Sequence, residues 1–203
     1  MENELAILLV RNSGDRERWS LPWRTPQTGE PLDAAAATTA RETLGELPAW
    51  VEQIGAFGDG KRHPSEADVS VGYLGLVPHE TRSPRAGQTW FRVADLPPLA
   101  PRQRAMVDAA TRALQSSLDQ APVAFRLLPA KFTLSELQQM YELLLGKRLH
   151  KASFRRALQA AWLVEPMDEW RSEGRGRPAQ LFRYLPKKKR RPHRGVRFDF
   201  LYP

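Results

Sequence analysis

The chain has 203 residues, 41% of them hydrophobic and 27% charged, a composition typical of a globular protein rather than a disordered one. It contains no cysteine, which excludes disulfides, thiolate nucleophiles and thiolate metal sites. The four histidines are far apart and form no metal-binding motif (His63, His79, His150, His193). No apolar run approaches the roughly 18 residues of a membrane span. Acidic residues follow Met1, where a secretory signal would be basic, so we expect a cytoplasmic protein without membrane contact.

The charge is distributed unevenly along the chain. Residues 1–120 contain 13 Lys+Arg and 16 Asp+Glu, a net charge of −3, whereas residues 121–203 contain 18 and 7, a net charge of +11. Strongly basic domains most often bind nucleic acid or another anionic surface. The charge therefore predicts two modules with different partners.

The front half has the pattern of a mixed α/β domain. The apolar run Leu5 to Val10 predicts a strand. Leu32 to Leu44 predicts a helix, because it contains four consecutive alanines and is followed by Gly45, where a C-terminal cap belongs. Gly, Pro and Asp bound three further predicted strands, and a long helix follows them (strands 51–57, 69–77 and 89–93; helix 100–118).

The rear third has the pattern of two helices followed by a hairpin. Thr133 and Glu136 have the spacing of a capping box at the start of a helix that ends at Gly146. The apolar positions of the second helix include Phe154 and Leu158. Two strands then flank the glycine-rich turn 173–178 (163–164 and 179–185). This order predicts a winged helix-turn-helix.

The segment Glu30 to Gly45 resembles a Nudix box, the loop–helix–loop that holds Mg²⁺ against a diphosphate in that family. Arg24 occupies the position of the first Gly of the box, and Glu30 occupies that of the first Glu. Thr38 and Thr39 stand where the box has its Arg-Glu pair, and Glu42 and Thr43 stand where it has its Glu-Glu pair. Two of three clustered carboxylates are therefore replaced by threonine, and Mg²⁺ requires such clustered hard oxygen ligands. We expect no hydrolase activity and no required cofactor.

A degenerate Nudix box beside a basic winged helix resembles the Nudix-related transcriptional regulators of NAD metabolism. The closest match is LLPAKFTLSELQQMYELLLGKRLHKASFRRAL, followed by GRGRPAQLFRY. The resemblance implies an α+β protein: an N-terminal Nudix-like α/β/α sandwich (1–120), a C-terminal winged helix-turn-helix (121–186) and a basic tail (187–203). The family usually has another strand ahead of Leu5 to Val10, so either this edge strand is absent or the start is truncated.

The implied function is a homodimeric repressor that binds double-stranded operator DNA and responds to ADP-ribose or a related NAD-derived nucleotide. Candidate effector-binding residues lie in and after the box (Arg24, Glu30, Glu42, Phe57, Asp59, Arg62, Tyr73). Candidate DNA-binding residues lie on the second helix, the wing and the tail (Lys151, Ser153, Arg155, Arg156, Gln159, Arg175, Arg177, Lys187, Lys188, Lys189).

Two alternatives stay open at this point. The chain could be a Nudix hydrolase of ADP-ribose-like nucleoside diphosphates that uses other carboxylates as metal ligands (Glu30, Glu42, Glu46, Glu52). It could also be a nucleic-acid-binding protein whose front domain is only a dimerisation scaffold. The candidate effector residues have ordinary explanations as well, since Phe57 and Tyr73 could belong to the core and Glu30 and Glu42 could be solvated.

Overall fold

The computed structural model describes residues 4–12, 18–58, 67–78, 84–120, 122–172 and 178–186. The chain divides into a front unit, residues 1–113, and a rear unit, residues 114–203. This division lies inside a helix, Pro101–Gln120, whereas the sequence places the domain boundary at its end. The last turns of that helix carry the buried Leu114 and Leu118, which are grouped with the rear unit.

Two small antiparallel sheets form the β-structure of the front unit. In the first, β1 (Ala6–Asn12) lies between β2 (Arg18–Ser20) and β5 (Gln88–Arg92). In the second, β3 (Trp50–Phe57) pairs with β4 (Ser70–Leu76). The strand β2 is missing from the sequence prediction, because three residues are too few to show an alternating pattern.

The pairing of β3 with β4 depends on a close approach at Gly72. The register shifts between Gln53 and Gly55, and Gly72 lies against the side chains next to this irregularity. A Cβ atom at Gly72 would lie 2.9 Å from the Phe57 ring and 3.0 Å from the Ile54 side chain. Both distances are shorter than a normal carbon–carbon contact, so a larger residue at this position would force the Phe57 and Ile54 side chains to shift.

Two α-helices, the second of which continues into the rear unit, and a short 3-10 helix (Val93–Asp95) also belong to the described front unit. Helix α1 (Leu32–Leu44) has the predicted bounds and ends at Gly45, whose φ of 85° is left-handed. Helix α2 (Pro101–Gln120) begins with two buried polar side chains that the sequence analysis does not anticipate. The Arg102 guanidinium donates to the Ala67 carbonyl at 2.7 Å, and Gln103 accepts from the Leu21 amide at 3.2 Å. These bonds connect the start of α2 to two loops.

In its described residues, the rear unit contains the last turns of α2, three further helices and a three-stranded sheet. The elements are α3 (Val123–Arg126), β6 (Phe132–Thr133), α4 (Leu134–Leu145), α5 (Lys151–Ala161), β7 (Val164–Arg171) and β8 (Ala179–Tyr184), with β8 between β6 and β7 in the sheet. The predicted capping box is present at Thr133 and Glu136, and α4 ends at Gly146 with φ 68°. This is the predicted helix-turn-helix with its hairpin.

An aromatic cluster forms the core of the rear unit. The Phe125 ring stacks on Tyr184 with 4.6 Å between centroids, and it also contacts Phe132 at 5.8 Å. The Tyr141 ring meets Phe154 edge-on at 5.5 Å, which joins α4 to α5. Such pairs add about 0.5–1.5 kcal/mol each beyond the burial of their area. Among the helices of the described residues, none has the length and apolar character needed to cross a bilayer.

Candidate nucleic-acid interface and effector site

Helix α5 presents one polar, basic face and buries the opposite one. Phe154 and Leu158 are each 1% exposed. The predicted DNA-binding residues Lys151, Arg155 and Gln159 are exposed and four residues apart, so they follow one row along the helix. Neighbouring positions on the same side are exposed as well (Ala152, Arg156, Ala160), whereas Ser153 is half-buried. Five of the ten predicted DNA-binding residues therefore lie on this one helix.

The turn between α4 and α5 is held by two polar side chains of α4. The carboxylate of Glu142 accepts from the Leu149 amide at 2.9 Å. The Gln138 amide donates to the Leu149 carbonyl at 3.0 Å and to Glu142 at 2.9 Å. Leu149 is buried, so both of its backbone groups are satisfied by side chains. This network sets the path by which the chain enters α5.

Basic side chains in the rear unit differ in whether they have acidic partners. Three around the sheet form short ion pairs: Lys131 with Glu169 at 2.7 Å, Arg171 with Glu136 at 2.6 Å, and Arg183 with Glu165 at 2.6 Å. Within the part of the chain that the structure describes, no carboxylate pairs with Arg155 or Arg156. Helix α5 therefore carries at least two exposed guanidinium groups that no described carboxylate neutralises.

The predicted wing contacts lie outside the described residues. The hairpin is described as far as residue 172 and again from residue 178, with β7 and β8 antiparallel as predicted. Arg175 and Arg177 belong to the turn between these segments, and Lys187, Lys188 and Lys189 follow the last described residue. Their DNA contacts stay predictions.

In the front unit, two of the predicted effector residues form an ion pair with each other. The Arg24 guanidinium lies 2.9 Å from Glu30 Oε1, and the Gln27 amide donates to Glu30 Oε2 at 2.8 Å. The Gln27 hydrogen bond, together with the hydrogen bond and charge of Arg24, lowers the pKa of Glu30 below its ordinary value. Both carboxylate oxygens of Glu30 thus already accept hydrogen bonds from nearby groups.

The two threonines at the Nudix carboxylate positions bond back to their own helix. Thr39 donates to the Ala35 carbonyl at 2.9 Å, and Thr43 donates to the Thr39 carbonyl at 2.7 Å. Glu42 is exposed, and its backbone carbonyl accepts from Arg85 at 2.8 Å. Among the described residues, no group of three or more His, Asp or Glu side chains is placed to hold a metal ion.

Tyr73 belongs to a polar cluster that the sequence analysis finds only in part. Its hydroxyl oxygen lies 2.8 Å from Asp33 Oδ1 on α1 and 3.2 Å from Gln53 Oε1 on β3. We refer to these three residues as the tyrosine cluster. Burial, followed by the hydrogen bond and charge of Asp33, raises the pKa of Tyr73. No local pattern marks Asp33 or Gln53, because the three residues are far apart in the sequence.

The structure brings some predicted effector residues together and separates others. Glu30 directly precedes Pro31, the N-cap of α1, and Tyr73 contacts the first turn of the same helix through Asp33. Glu42 lies nine residues after Asp33, about 13 Å along a helix that rises 1.5 Å per residue. Phe57 is half-buried against Gly72, and Asp59 and Arg62 lie outside the described residues.

Comparison with known proteins identifies the rear unit. Residues 124–184 match the model of the NrtR DNA-binding winged helix domain. The chain is 29% identical over 193 residues to the ADPR responsive transcriptional repressor NtrR of Acinetobacter baylyi, covering 90% of this chain and 77% of that protein.

Two solved structures have a similar fold along most of the chain. Shewanella oneidensis NrtR complexed with a 27mer DNA gives a TM-score of 0.76 at 28% identity, covering 91% of this chain and 89% of that one. A MutT/nudix family protein from Enterococcus faecalis gives a TM-score of 0.71 at 18% identity, covering 91% and 82%. The second likeness shows a shared fold only.

Fold and site together define a two-unit α+β protein in which a Nudix-like unit precedes a winged helix DNA-binding domain, as predicted. The similarities to known proteins narrow this class of protein further. They confirm the predicted resemblance to the Nudix-related transcriptional regulators, since residues 124–184 match the NrtR DNA-binding winged helix domain and most of the chain is similar to the relatives described above.

Proposed function

We propose that this protein is a transcriptional repressor whose binding to double-stranded operator DNA is controlled by ADP-ribose or a related NAD-derived nucleotide. The observation that carries the proposal is the exposed basic face of α5, placed on the second helix of a domain that matches a DNA-binding family. In helix-turn-helix proteins this helix enters the major groove and reads base edges. The DNA complex of the Shewanella relative supports the same use of the rear unit.

In this proposal α5 supplies the sequence-specific contacts. Arg155 and Arg156 carry planar guanidinium groups that can bind guanine with two parallel hydrogen bonds, while Gln159 suits adenine. Lys151 at the start of the helix, and Arg175 and Arg177 of the wing, are assigned to phosphate or minor-groove contacts. The tail lysines would add sequence-independent affinity, because phosphate contacts contribute mainly through counterion release.

The front unit is proposed to bind the nucleotide without hydrolysing it. Thr39 and Thr43 direct their hydroxyl hydrogens to helix carbonyls, and Glu30 is occupied by Arg24 and Gln27, so Glu42 alone offers a free carboxylate of the box. Such a donor set does not suit Mg²⁺, which requires clustered hard oxygens. The homology to a repressor agrees with a regulator rather than an enzyme.

A difference in the affinity of the nucleotide for two arrangements of the protein would couple effector binding to DNA binding. A nucleotide that binds one arrangement of the protein more tightly than another shifts the population between them, and the DNA affinity changes by the same coupling free energy. We also propose a homodimer acting in the cytoplasm, since two-fold related operators are read by two-fold symmetric proteins.

The proposal is tested by selecting preferred duplexes from a random pool with the full chain and measuring their binding by fluorescence anisotropy. Adding ADP-ribose, or NAD in a parallel series, should change the affinity for the selected duplex. A selected duplex that is bound no better than random DNA would contradict the regulator function. Release of AMP from ADP-ribose with Mg²⁺ at about 1 per second or faster would support the hydrolase alternative instead.

A further inference from the structure

The tyrosine cluster (Tyr73, Asp33, Gln53) holds more hydrogen-bond acceptors than donors. A phenol has a single hydrogen, so Tyr73 can donate to only one of its two oxygen neighbours. Asp33 is the better acceptor, because it is closer, at 2.8 Å, and because its carboxylate is charged. The Gln53 amide can present either end to the hydroxyl. In both orientations Asp33 keeps further acceptor capacity on a side chain that is exposed to solvent.

This arrangement discriminates between ligand groups. A carboxylate repels a phosphate but accepts hydrogen bonds from hydroxyl groups. Its two oxygens can accept from two neighbouring hydroxyls at once, which is why an acidic residue binds the ribose hydroxyls at dinucleotide-binding sites on other folds. The hydrogen bond from Tyr73 limits the rotation of Asp33 and so prepares it for such a ligand.

An ion pair lies near the same end of α1. Asp33 is three residues after Glu30, and the Arg24 guanidinium is 2.9 Å from that glutamate. An arginine and an acceptor-rich aspartate therefore both occur near the start of α1, and the charge of this arginine is already balanced by Glu30.

We propose that Asp33, positioned by Tyr73 and Gln53, binds the vicinal hydroxyls of a ribose in the nucleotide effector. The inference rests on the proposed function and adds two residues to its site, Asp33 and Gln53. Asp33 makes the direct contact, whereas Tyr73 acts through Asp33 as a positioning residue.

The test measures ligand selectivity by isothermal titration calorimetry on the full chain. Wild type, Asp33→Asn and Tyr73→Phe are titrated with ADP-ribose, with ADP, which lacks the second ribose, and with 2′-deoxy-ADP-ribose, which lacks a hydroxyl on the adenosine ribose. Asp33→Asn should bind ADP-ribose at least about tenfold more weakly, since hydrogen bonds to charged groups have this magnitude. Tyr73→Phe should give a smaller loss in the same direction.

The analogues identify which ribose is bound. If Asp33 binds the second ribose, Asp33→Asn and wild type should have equal affinity for ADP and different affinity for 2′-deoxy-ADP-ribose. If Asp33 binds the adenosine ribose, the two proteins should have equal affinity for 2′-deoxy-ADP-ribose and different affinity for ADP. A merely structural role of Asp33 would weaken all three ligands by the same factor, and simple repulsion of the diphosphate would make Asp33→Asn bind all three more tightly. Either result overturns the inference, as does equal binding of ADP-ribose by both proteins.

A matched control separates these outcomes from general effects of charge and folding. Asp108→Asn removes the same charge from an exposed position on α2, where Asp108 pairs with Arg104, and should leave all three affinities unchanged. Melting temperatures of the variants without ligand show that each is folded. Absence of ADP-ribose binding by wild type would overturn ADP-ribose as the effector as well as the ribose contact. If wild type and Asp33→Asn bind ADP-ribose with the same affinity, only the ribose contact is overturned.

Discussion

Replacing Arg155 and Arg156 with alanine should remove most of the preference for operator over random DNA. Both side chains are exposed on the outer face of α5, and no ion pair with a described carboxylate has to be broken before they bind DNA. A bidentate arginine–guanine contact discriminates against other bases by about 1–3 kcal/mol. Two such contacts give roughly 2–6 kcal/mol, a loss of about 30-fold to 10⁴-fold in operator affinity at 1.4 kcal/mol per tenfold change.

The assay is fluorescence anisotropy of full-length protein with the selected duplex and with a scrambled duplex, each at two salt concentrations. The control variant replaces Arg104 and Arg112 of α2 by alanine, which removes the same charge from exposed positions in the front unit. It should affect both duplexes equally and only slightly. Thermal stability of the Arg155 and Arg156 variant should stay within about 0.5 kcal/mol of wild type, as for other exposed positions.

An equal loss of affinity for both duplexes would refute the reasoning. In that case α5 would act only as a phosphate clamp, because phosphate contacts carry no sequence information. The specificity would then have to come from elsewhere in the rear unit, and Arg175 and Arg177 of the wing would be the next candidates.

Four further predictions concern stability and nonspecific binding. Glu142→Ala leaves the buried Leu149 amide without its acceptor and should lower the free energy of unfolding by about 1–3 kcal/mol in urea, with weaker operator binding. Gly72→Ala places a Cβ within 2.9–3.1 Å of two side chains and should cost about 1–3 kcal/mol in the same assay. The lowered pKa of Glu30 stabilises the fold above the unfolded-state pKa, so wild type should lose melting temperature as pH falls into the acid range, and Glu30→Gln should lose less. Deleting Lys187–Arg191 should weaken operator and random DNA alike and flatten the salt dependence.

Each of these four predictions is compared with a control variant or with wild type, and a specific result would contradict it. Gln139→Ala changes an exposed neighbour on α4 and should leave unfolding unaltered, so equal stability of the Glu142 variant would contradict the role of the turn network. Ala56→Ser, at an exposed position on β3, is the control for Gly72→Ala and should leave unfolding unaltered. Equal stability of the Gly72 variant and wild type would contradict the close approach at Gly72. Parallel pH profiles of wild type and Glu30→Gln would exclude a stabilising Glu30 carboxylate. A tail deletion that impaired only operator binding would assign the lysines to sequence readout.

The sequence alone determined the elements whose signals are local. Helix α1 has the predicted bounds because its alanines and Gly45 specify helix and stop within the segment itself. The capping box at Thr133 links residues three apart, and the periodicity of Phe154 and Leu158 was enough to place Arg155 and Arg156 on the exposed side of α5. The family resemblance and the two-unit organisation followed from such signals.

The tertiary structure decided the contacts between residues that are distant in the chain. Tyr73 meets Asp33 across 40 residues, and Arg102 meets Ala67 across 35, only because the fold brings a strand or a loop against a helix. The pairing of Arg24 with Glu30 likewise depends on how the loop between them closes. Such contacts carry no periodic signature, since each is one side chain meeting another at a single point. Local patterns therefore predicted the helices and the exposed basic face of α5, whereas the polar cluster at the start of α1 could be recognised only in three dimensions.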